Sequence, residues 1–501
     1  MIEISFDEAK ETIGKFLITP EGHRLEFKRV SGKMVSKALD TICAFANSEG
    51  GSLVLGVADN KQENGNIRLY GVEENPEALD ELLRKISSQF MPPIPADNIL
   101  LLRVACRLRD NTDGHIVVVH VLQSGKVHSV IDGNTLCRMR ASNRPMTAVE
   151  ITELSYRRGI RSAEAEPIFV DWSLLETPVW DEFSSARGFG RSRPLPEQMA
   201  QLGLALRVED ALRPTRAAVL LFADEPGGLL AAHGSRAEVR LMVYRGKSVE
   251  AAATPNFRKP PRVFRGPLVR LIEETVRAVL DELAQGVELE NSGFKTRHRY
   301  PERVVKEAIV NAVLHRDYRL NRDILIRIFD DRLEIESPGV FPGSITPANI
   351  KTAGSNARNP LIVRTLRDFP KPPNFDLNEG VPMMFEQMDA AHLYPPQYRQ
   401  NSELMSECVV VTLLNAERPS IWNEVSDWVE RRGPIANADL CKISKIDTLR
   451  ASKLLRIWVE QGLLEPLPGR AKRNMAYIKT GRSVEQVELL SGVLDNKLRN
   501  I

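Results

Sequence analysis

The sequence predicts an α+β chain of several domains, and three observations lead there. At 501 residues the chain is too long for one hydrophobic core. Strand-like alternating runs and helix-like runs of period 3.6 are interspersed along it. A carboxyl-terminal stretch has a charge of its own: residues 418–480 hold 12 Lys and Arg against 7 Asp and Glu, a net of +5, while the whole chain carries only +2.

Taken in order, residues 1–20 suggest a short helix. Residues 21–58 read strand, helix, strand, as RLEFKRV, KALDTICAFANSEG and GSLVLGVAD. Strands follow at 99–106 and 115–121, with MPPIP (91–95) as a loop, giving a mixed domain over 1–150. Residues 151–200, rich in Arg, Ser, Pro and Gly, read as a connector with one helix. A further domain is expected over 201–416. In it AAVLLFA (217–223) and AEVRLMVYR (237–245) are strand-like, and 266–285 is a long helix. Pro301 opens the helix PERVVKEAIVNAVLHRDY. ILIRIFDDRLEIESPG (324–339) alternates around Asp330-Asp331 and reads as a hairpin. Residues 340–416 are Pro-rich and less regular. A small separate unit and a terminal helix are expected over 417–501.

Composition narrows the function classes. Hydrophobic content of 43% and charged content of 27% are those of a soluble protein. A net charge of +2 confines any nucleic-acid surface to local patches. Cys43, Cys106, Cys137, Cys408 and Cys441 show neither a CxxC nor a Cys/His ligand spacing, so no zinc module or disulfide framework is expected. A reducing cytoplasm is the natural setting. The acidic, amphipathic opening MIEISFDEAKETIG is unlike a signal peptide, and no run approaches the length of a membrane span, so no membrane partner is expected.

Two polar constellations stand out. EGHRLEFK places Glu21 and Glu26 at the entry to a strand, and LVLGVADN ends another strand with Asp59. Three carboxylates brought together can hold a divalent cation, which activates water and stabilises a phosphoryl transition state. The plainer reading is that Glu21 caps, Glu26 pairs with Lys28 or Arg24, and Asp59 starts a turn. The second lies on the helix opened by Pro301, where Glu307, Asn311 and His315 recur at i, i+4 and i+8 and so share one face. In a Mg²⁺-ATP site Asn311 offers an amide oxygen to the metal and Glu307 orients or deprotonates water. The plainer reading there is a packed interface helix.

E-x(4)-EFK, then AFANSEGGSLVLGV with a following Asp and RMRASNRPMT (138–147), resembles the Schlafen-type AlbA domain over roughly 1–150. In the Schlafen ribonucleases three acidic residues form the cleavage site. By motif they fall on Glu21, Glu26 and Asp59, which implies catalytic and metal-binding roles for all three. Lys28 is expected to hold a backbone phosphate as a point charge.

EAIVNAVLHRDY, the hairpin with SPGVFPGSI, NARNPLIVRTL and NEGVPMMFEQM resemble, in that order, a divergent GHKL-type ATP-binding domain over roughly 200–400. This is the α/β sandwich shared by gyrase, histidine kinases and MutL-like ATPases. The resemblance makes Glu307 the water-activating residue, Asn311 the Mg²⁺ ligand, and Gly339 and Gly380 the two glycine boxes. The sequence departs from the family twice. Ser337 stands where an Asp normally reads the adenine amino group, and Asn378-Glu379-Gly380 lacks one glycine of the second box.

The carboxyl-terminal unit has the pattern of a winged helix: helix, helix-turn-helix, then a basic hairpin. Arg450 and Lys453 lie on the second helix of the pair, with Lys472 and Arg473 on the wing. Such a helix enters a major groove while the wing touches backbone.

The sequence therefore predicts a cytoplasmic, nucleotide-responsive nucleic-acid-binding protein. ATP and Mg²⁺ (or Mn²⁺) are its cofactors, DNA or RNA its partner, and a homo-oligomer its expected state. Weak ATPase activity and a role in transcription regulation are compatible with this reading. A metal-dependent nuclease in defence, and an oligomeric scaffold with a vestigial nucleotide site, are the alternatives.

Overall fold

In the computed structural model, residues 2–5, 13, 17, 19–30, 34–59, 65–189, 193–250, 255–290, 293–343, 345–354, 356–373, 380–401, 407–419, 421–467 and 475–480 are described. The chain forms two compact units, Met1–Arg161 and Ser162–Arg482, and the whole is a multidomain α+β protein.

The first unit is built on a five-stranded mixed sheet. Its strands are β1 (Ile2–Ile4), β2 (Leu25–Lys28), β3 (Gly51–Leu55), β4 (Ile99–Arg107) and β5 (Asp113–Val121), in the order β1-β4-β5-β3-β2. β1 runs parallel to β4 and β2 parallel to β3, while the other pairs are antiparallel. Ile2–Ile4, expected within a helix, is thus an edge strand. Ile4 is buried in register with Val104, and a sheet edge outcompetes local preference. Along β5 the period of two separates two cores. Val117, Val119 and Val121 pack with helix α1 (Met34–Asn47), while Ile116 and Val118 pack on the opposite face.

In the second unit, the stretch read as a connector contributes to the core. Helix α2 (Pro178–Ala186) is capped by Thr177, whose hydroxyl accepts from Trp180 N–H, and it buries Val179, Trp180 and Phe183. Residues 217–223 are a correction. They form helix α3 (Arg216–Phe222), with Thr215 Oγ1 accepting from Ala218 N–H as its cap. A wholly buried apolar run carries no periodicity that distinguishes strand from helix, and the cap decides it.

A six-stranded sheet carries the rest of this unit: β6 (Val239–Val243), β7 (Arg262–Phe264), β8 (Ile324–Ile328), β9 (Arg332–Pro338), β10 (Gln397–Asn401) and β11 (Cys408–Leu414), ordered β7-β6-β8-β9-β11-β10. β8 and β9 are the expected hairpin about Asp330-Asp331. Helices α4 (Leu268–Leu283) and α5 (Glu302–Leu314) pack with this sheet in one core. The stretch expected to be irregular also holds α6 (Pro360–Arg367) and α7 (Gly380–Ala390). Prolines hid them: Pro360 stands at the first helical position, where its missing N–H costs nothing.

Helices α8 (Trp422–Arg432), α9 (Asn437–Ser444) and α10 (Thr448–Glu460) follow, with strands Ile435–Ala436, Leu464–Pro466 and Ala476–Lys479 in one sheet. Their core also takes in Tyr394 and Leu414, and Trp458 Nε1–H donates to the Tyr394 hydroxyl at 3.1 Å. Lys472, Arg473 and the expected terminal helix lie outside the described residues, as do Asn378 and Glu379.

Glu164 fastens the start of the second unit. Its carboxylate accepts from Leu361 N–H and Ile362 N–H, both at 2.7 Å, and so caps α6 from a distant part of the chain. The side chain is buried, and burial pushes its carboxyl up to about 7 from an ordinary 4.5. The folded chain then binds this proton more tightly than the unfolded chain. The associated stability is complete below the ordinary value and is lost as pH rises toward about 7. Between those values the wild type loses up to about 1.4 kcal/mol per pH unit relative to Glu164→Gln, which keeps one capping oxygen without titrating. Urea unfolding of both proteins between about pH 5 and about pH 8 checks this, and a pH-independent difference contradicts it.

Candidate functional site

Most of α5 is buried: Val304, Val305, Ala308, Ile309, Val310, Ala312, Val313 and Leu314 are all inside, while Glu302, Arg303 and Lys306 are exposed. Glu307, Asn311 and His315 form a half-buried stripe, and all three line one cavity of about 290 Å³. That volume is close to the lower bound of ligand pockets, ~300 Å³. Ser337, Gly339 and Gly380 line it too, so the five residues assigned to nucleotide from the sequence meet in one place.

Asn311 Nδ2 donates to Glu307 Oε1 at 3.0 Å, which leaves the side-chain oxygen Oδ1 of Asn311 to a ligand. Burial raises the Glu307 carboxyl above its ordinary range. The Asn311 hydrogen bond and the charges of Arg303 and Lys306 act the other way. Arg303 and Lys306 also line the cavity and bring positive charge to it. A Cβ at Gly380 would meet the Glu307 carboxylate, so any larger residue at the start of α7 would require that side chain to move.

The opposite wall is the end of β9. Ser337 Oγ–H donates to the Ala312 carbonyl of α5 at 2.7 Å. Gly339 follows at φ +109°, where a Cβ would come within 2.9 Å of Asp317 Cβ. Asp317 N–H donates to the Pro338 carbonyl at 2.9 Å, locking strand to helix end. Burial raises the Asp317 carboxyl, but the hydrogen bond from Arg319 and the charges of Arg358 and Arg319 outweigh it and hold it below its ordinary range. Arg316 is wholly buried, donating to the Arg236 and Arg322 carbonyls. Arg316 and Asp317 thus hold the fold. His315, by contrast, lines the cavity.

The acidic constellation of the first unit is arranged otherwise. Glu21 Oε1 accepts from Phe27 N–H at 3.0 Å. Burial raises the Glu21 carboxyl, and the charges of Glu26 and Asp59 add to that, so the three share a neighbourhood. Cations share it as well. Glu26 Oε1 accepts from Lys28 Nζ and Glu26 Oε2 from Arg138 Nη2, both at 2.6 Å. The Arg138 side chain is 0% exposed and also donates to the Gly22 and Leu25 carbonyls and to Asn143 Oδ1. Buried Arg68, within the influence of Asp59 and Glu21, donates to the Ala58 carbonyl. Among the described residues no three His, Cys, Asp or Glu side chains are grouped to hold a metal ion. Both Glu26 oxygens are engaged by cations the chain supplies itself. Lys28, expected to meet a phosphate, pairs here with Glu26 at 2.6 Å.

Arg138 lies 112 residues from Glu26 and gives no local sequence signal. On α10, Arg450 and Lys453 are exposed, beside Leu449 at 82% exposure. No helix among the described residues is long and apolar enough to cross a membrane.

Comparison with known proteins gives two domain matches. Residues 21–147 match the family described as "Schlafen, AlbA_2". Residues 321–411 match HATPase_c_4, described as "Putative ATP-dependent DNA helicase recG C-terminal". The chain thus carries a Schlafen AlbA_2 domain followed by an ATPase-like domain. No curated protein matches it. Among solved structures, the DIP2311 protein from Corynebacterium diphtheriae matches at 17% identity and a TM-score of 0.39, over 94% of this chain and 97% of that one.

The close packing at Gly339 gives a direct test of the cavity wall. Gly339→Ala adds a Cβ in a left-handed conformation against Asp317 and is expected to cost about 1–3 kcal/mol. The midpoint of chemical denaturation reads this, and an unchanged midpoint contradicts the packing described.

Proposed function

We propose that this chain is a nucleotide-responsive nucleic-acid-binding protein that holds Mg²⁺-ATP in the cavity on α5. The observation that carries the reading is the convergence of Glu307, Asn311, Ser337, Gly339 and Gly380 on that one cavity. The AlbA_2 and ATPase-like domains support a nucleotide-related role on nucleic acid. The six-stranded sheet with α4 and α5 packed on it supports the GHKL-like sandwich.

Asn311 Oδ1 is the oxygen that fits Mg²⁺, an ion that keeps several waters and needs few protein ligands. Bound there with a nucleotide, the metal supplies charge neutralisation at the phosphates. Arg303 and Lys306 add positive charge on the same side. Glu307, its carboxyl raised by burial and oriented by Asn311, is placed to accept a proton from water. Ser337 keeps oxygen lone pairs toward an adenine amino group, without the charge assistance of an Asp. Slow turnover, or none, follows from that weaker hold, and the nucleotide then acts as a switching ligand.

Helices α8, α9 and α10 with their three-stranded sheet support a winged helix, in which α10 enters the groove. Arg450 and Lys453 contact phosphates or bases there. The acidic cluster supports folding of the AlbA_2 domain rather than cleavage, because Glu26 is tied to Arg138 and Lys28. Five free cysteines, three of them buried, suit a cytoplasmic protein.

Two outcomes test this reading. Saturating Mg²⁺-ATP raises the melting temperature of the wild type by mass action, Asn311→Ala loses the shift, and Glu307→Gln keeps it. A wild type that ATP leaves unmoved contradicts the nucleotide role. For nucleic acid, Arg450→Ala with Lys453→Ala lowers the slope of log affinity against log salt by about two. An unchanged slope assigns the carboxyl-terminal unit to protein contact.

A further inference from the structure

The nucleotide reading leaves one group of the cavity without a task. His315 ends α5, its backbone N–H donating to the Asn311 carbonyl at 3.0 Å, and its ring lines the cavity. Nδ1 is buried and has no hydrogen-bond partner among the described residues. A buried N–H without an acceptor costs about 1–3 kcal/mol, and orphaned N–H groups are rarer than orphaned acceptors. The ring proton is therefore carried by Nε2. With Nδ1 buried and the residue lining the cavity, we take Nε2–H as the donor that this half-buried ring offers to a ligand. Burial, reinforced by the positive charge of Arg358, pushes this imidazole down to about 4, and it is neutral at physiological pH.

Ser337 supplies the complementary group. Its hydroxyl proton is committed to the Ala312 carbonyl, so toward the cavity Oγ can only accept. Ala312 and His315 are three residues apart and lie on one face of the helix. The Ser337 oxygen thus sits over the same helical turn that carries His315.

We propose that His315 Nε2–H and Ser337 Oγ form a donor–acceptor pair that reads the base of the bound nucleotide and selects adenine. This rests on the nucleotide reading of the cavity. Adenine presents an exocyclic amino group that donates and a neighbouring ring nitrogen that accepts. Ser337 takes the first and His315 serves the second. Guanine presents the reverse, a carbonyl oxygen and a ring N–H, so donor faces donor and acceptor faces acceptor. Such mismatches leave buried polar groups unpaired, which is the strongest form of small-molecule discrimination. Val310, Ile335 and Met383 supply apolar wall to a planar base. A neutral pair here does the work that a single carboxylate does in other GHKL proteins.

Calorimetric titration of the full chain tests this with Mg²⁺-ATP, Mg²⁺-GTP and the triphosphate of 1-deazaadenosine, which lacks the ring nitrogen assigned to His315. The wild type binds ATP roughly tenfold or more tightly than either of the others. In His315→Phe, which keeps a ring of similar size, ATP weakens roughly tenfold while the 1-deaza analogue is unchanged, so the two become equal. Equal affinity of the wild type for ATP and the 1-deaza analogue overturns the proposal without any variant. ATP and GTP binding equally well also overturns it, while leaving the cavity a nucleotide site. A wild type that binds none of the three overturns the nucleotide reading itself.

Discussion

A half-buried carboxylate on a helix packed into the core is the constraint around which the second unit is organised. Burial of Glu307 makes its ionised form costly to desolvate. The structure answers with a cavity rather than with an ion pair in the interior. Asn311 donates to one oxygen, Arg303 and Lys306 lend charge from the rim, and Gly380 lets the next helix approach without a side chain in the way. Each of these concessions is intelligible if the space is meant for a polar ligand. None of them improves packing.

The first unit resolves a similar problem in the opposite way. Glu26 is a buried carboxylate too, but the chain supplies both partners itself, through Lys28 and the fully buried Arg138. Breaking one member of such a network leaves a buried charge uncompensated, so the cluster resists change without needing a ligand. The two sites look alike in sequence, as acids spaced along regular elements. They differ in what the three-dimensional contacts leave over: a cavity beside Glu307, and cations already on Glu26.

What could be read from the sequence was whatever is local. α5 announced itself by Pro301 and by a polar row at i, i+4 and i+8, and the β8–β9 hairpin by alternation about Asp330-Asp331. Both are set by periodicities shorter than the elements themselves. Residues 217–223 misled because a run buried on all sides has no polar face to mark its period. Ile2–Ile4 misled because its strand exists only by pairing with Leu102–Val104, a hundred residues away. Arg138 on Glu26 and Glu164 on α6 were invisible for the same reason. His315 belonged to the row from the beginning.

The central claim is that the polar face of α5 lines a nucleotide site. Hydrogen exchange followed by mass spectrometry, with and without Mg²⁺-ATP, tests it most directly because it reports location as well as binding. The account predicts slowed exchange in peptides covering 303–315, 335–343 and 380–384, the three walls of the cavity, with α8 and α9 unaffected by direct contact. Protection confined to other segments, or an identical exchange pattern at saturating nucleotide, would contradict it.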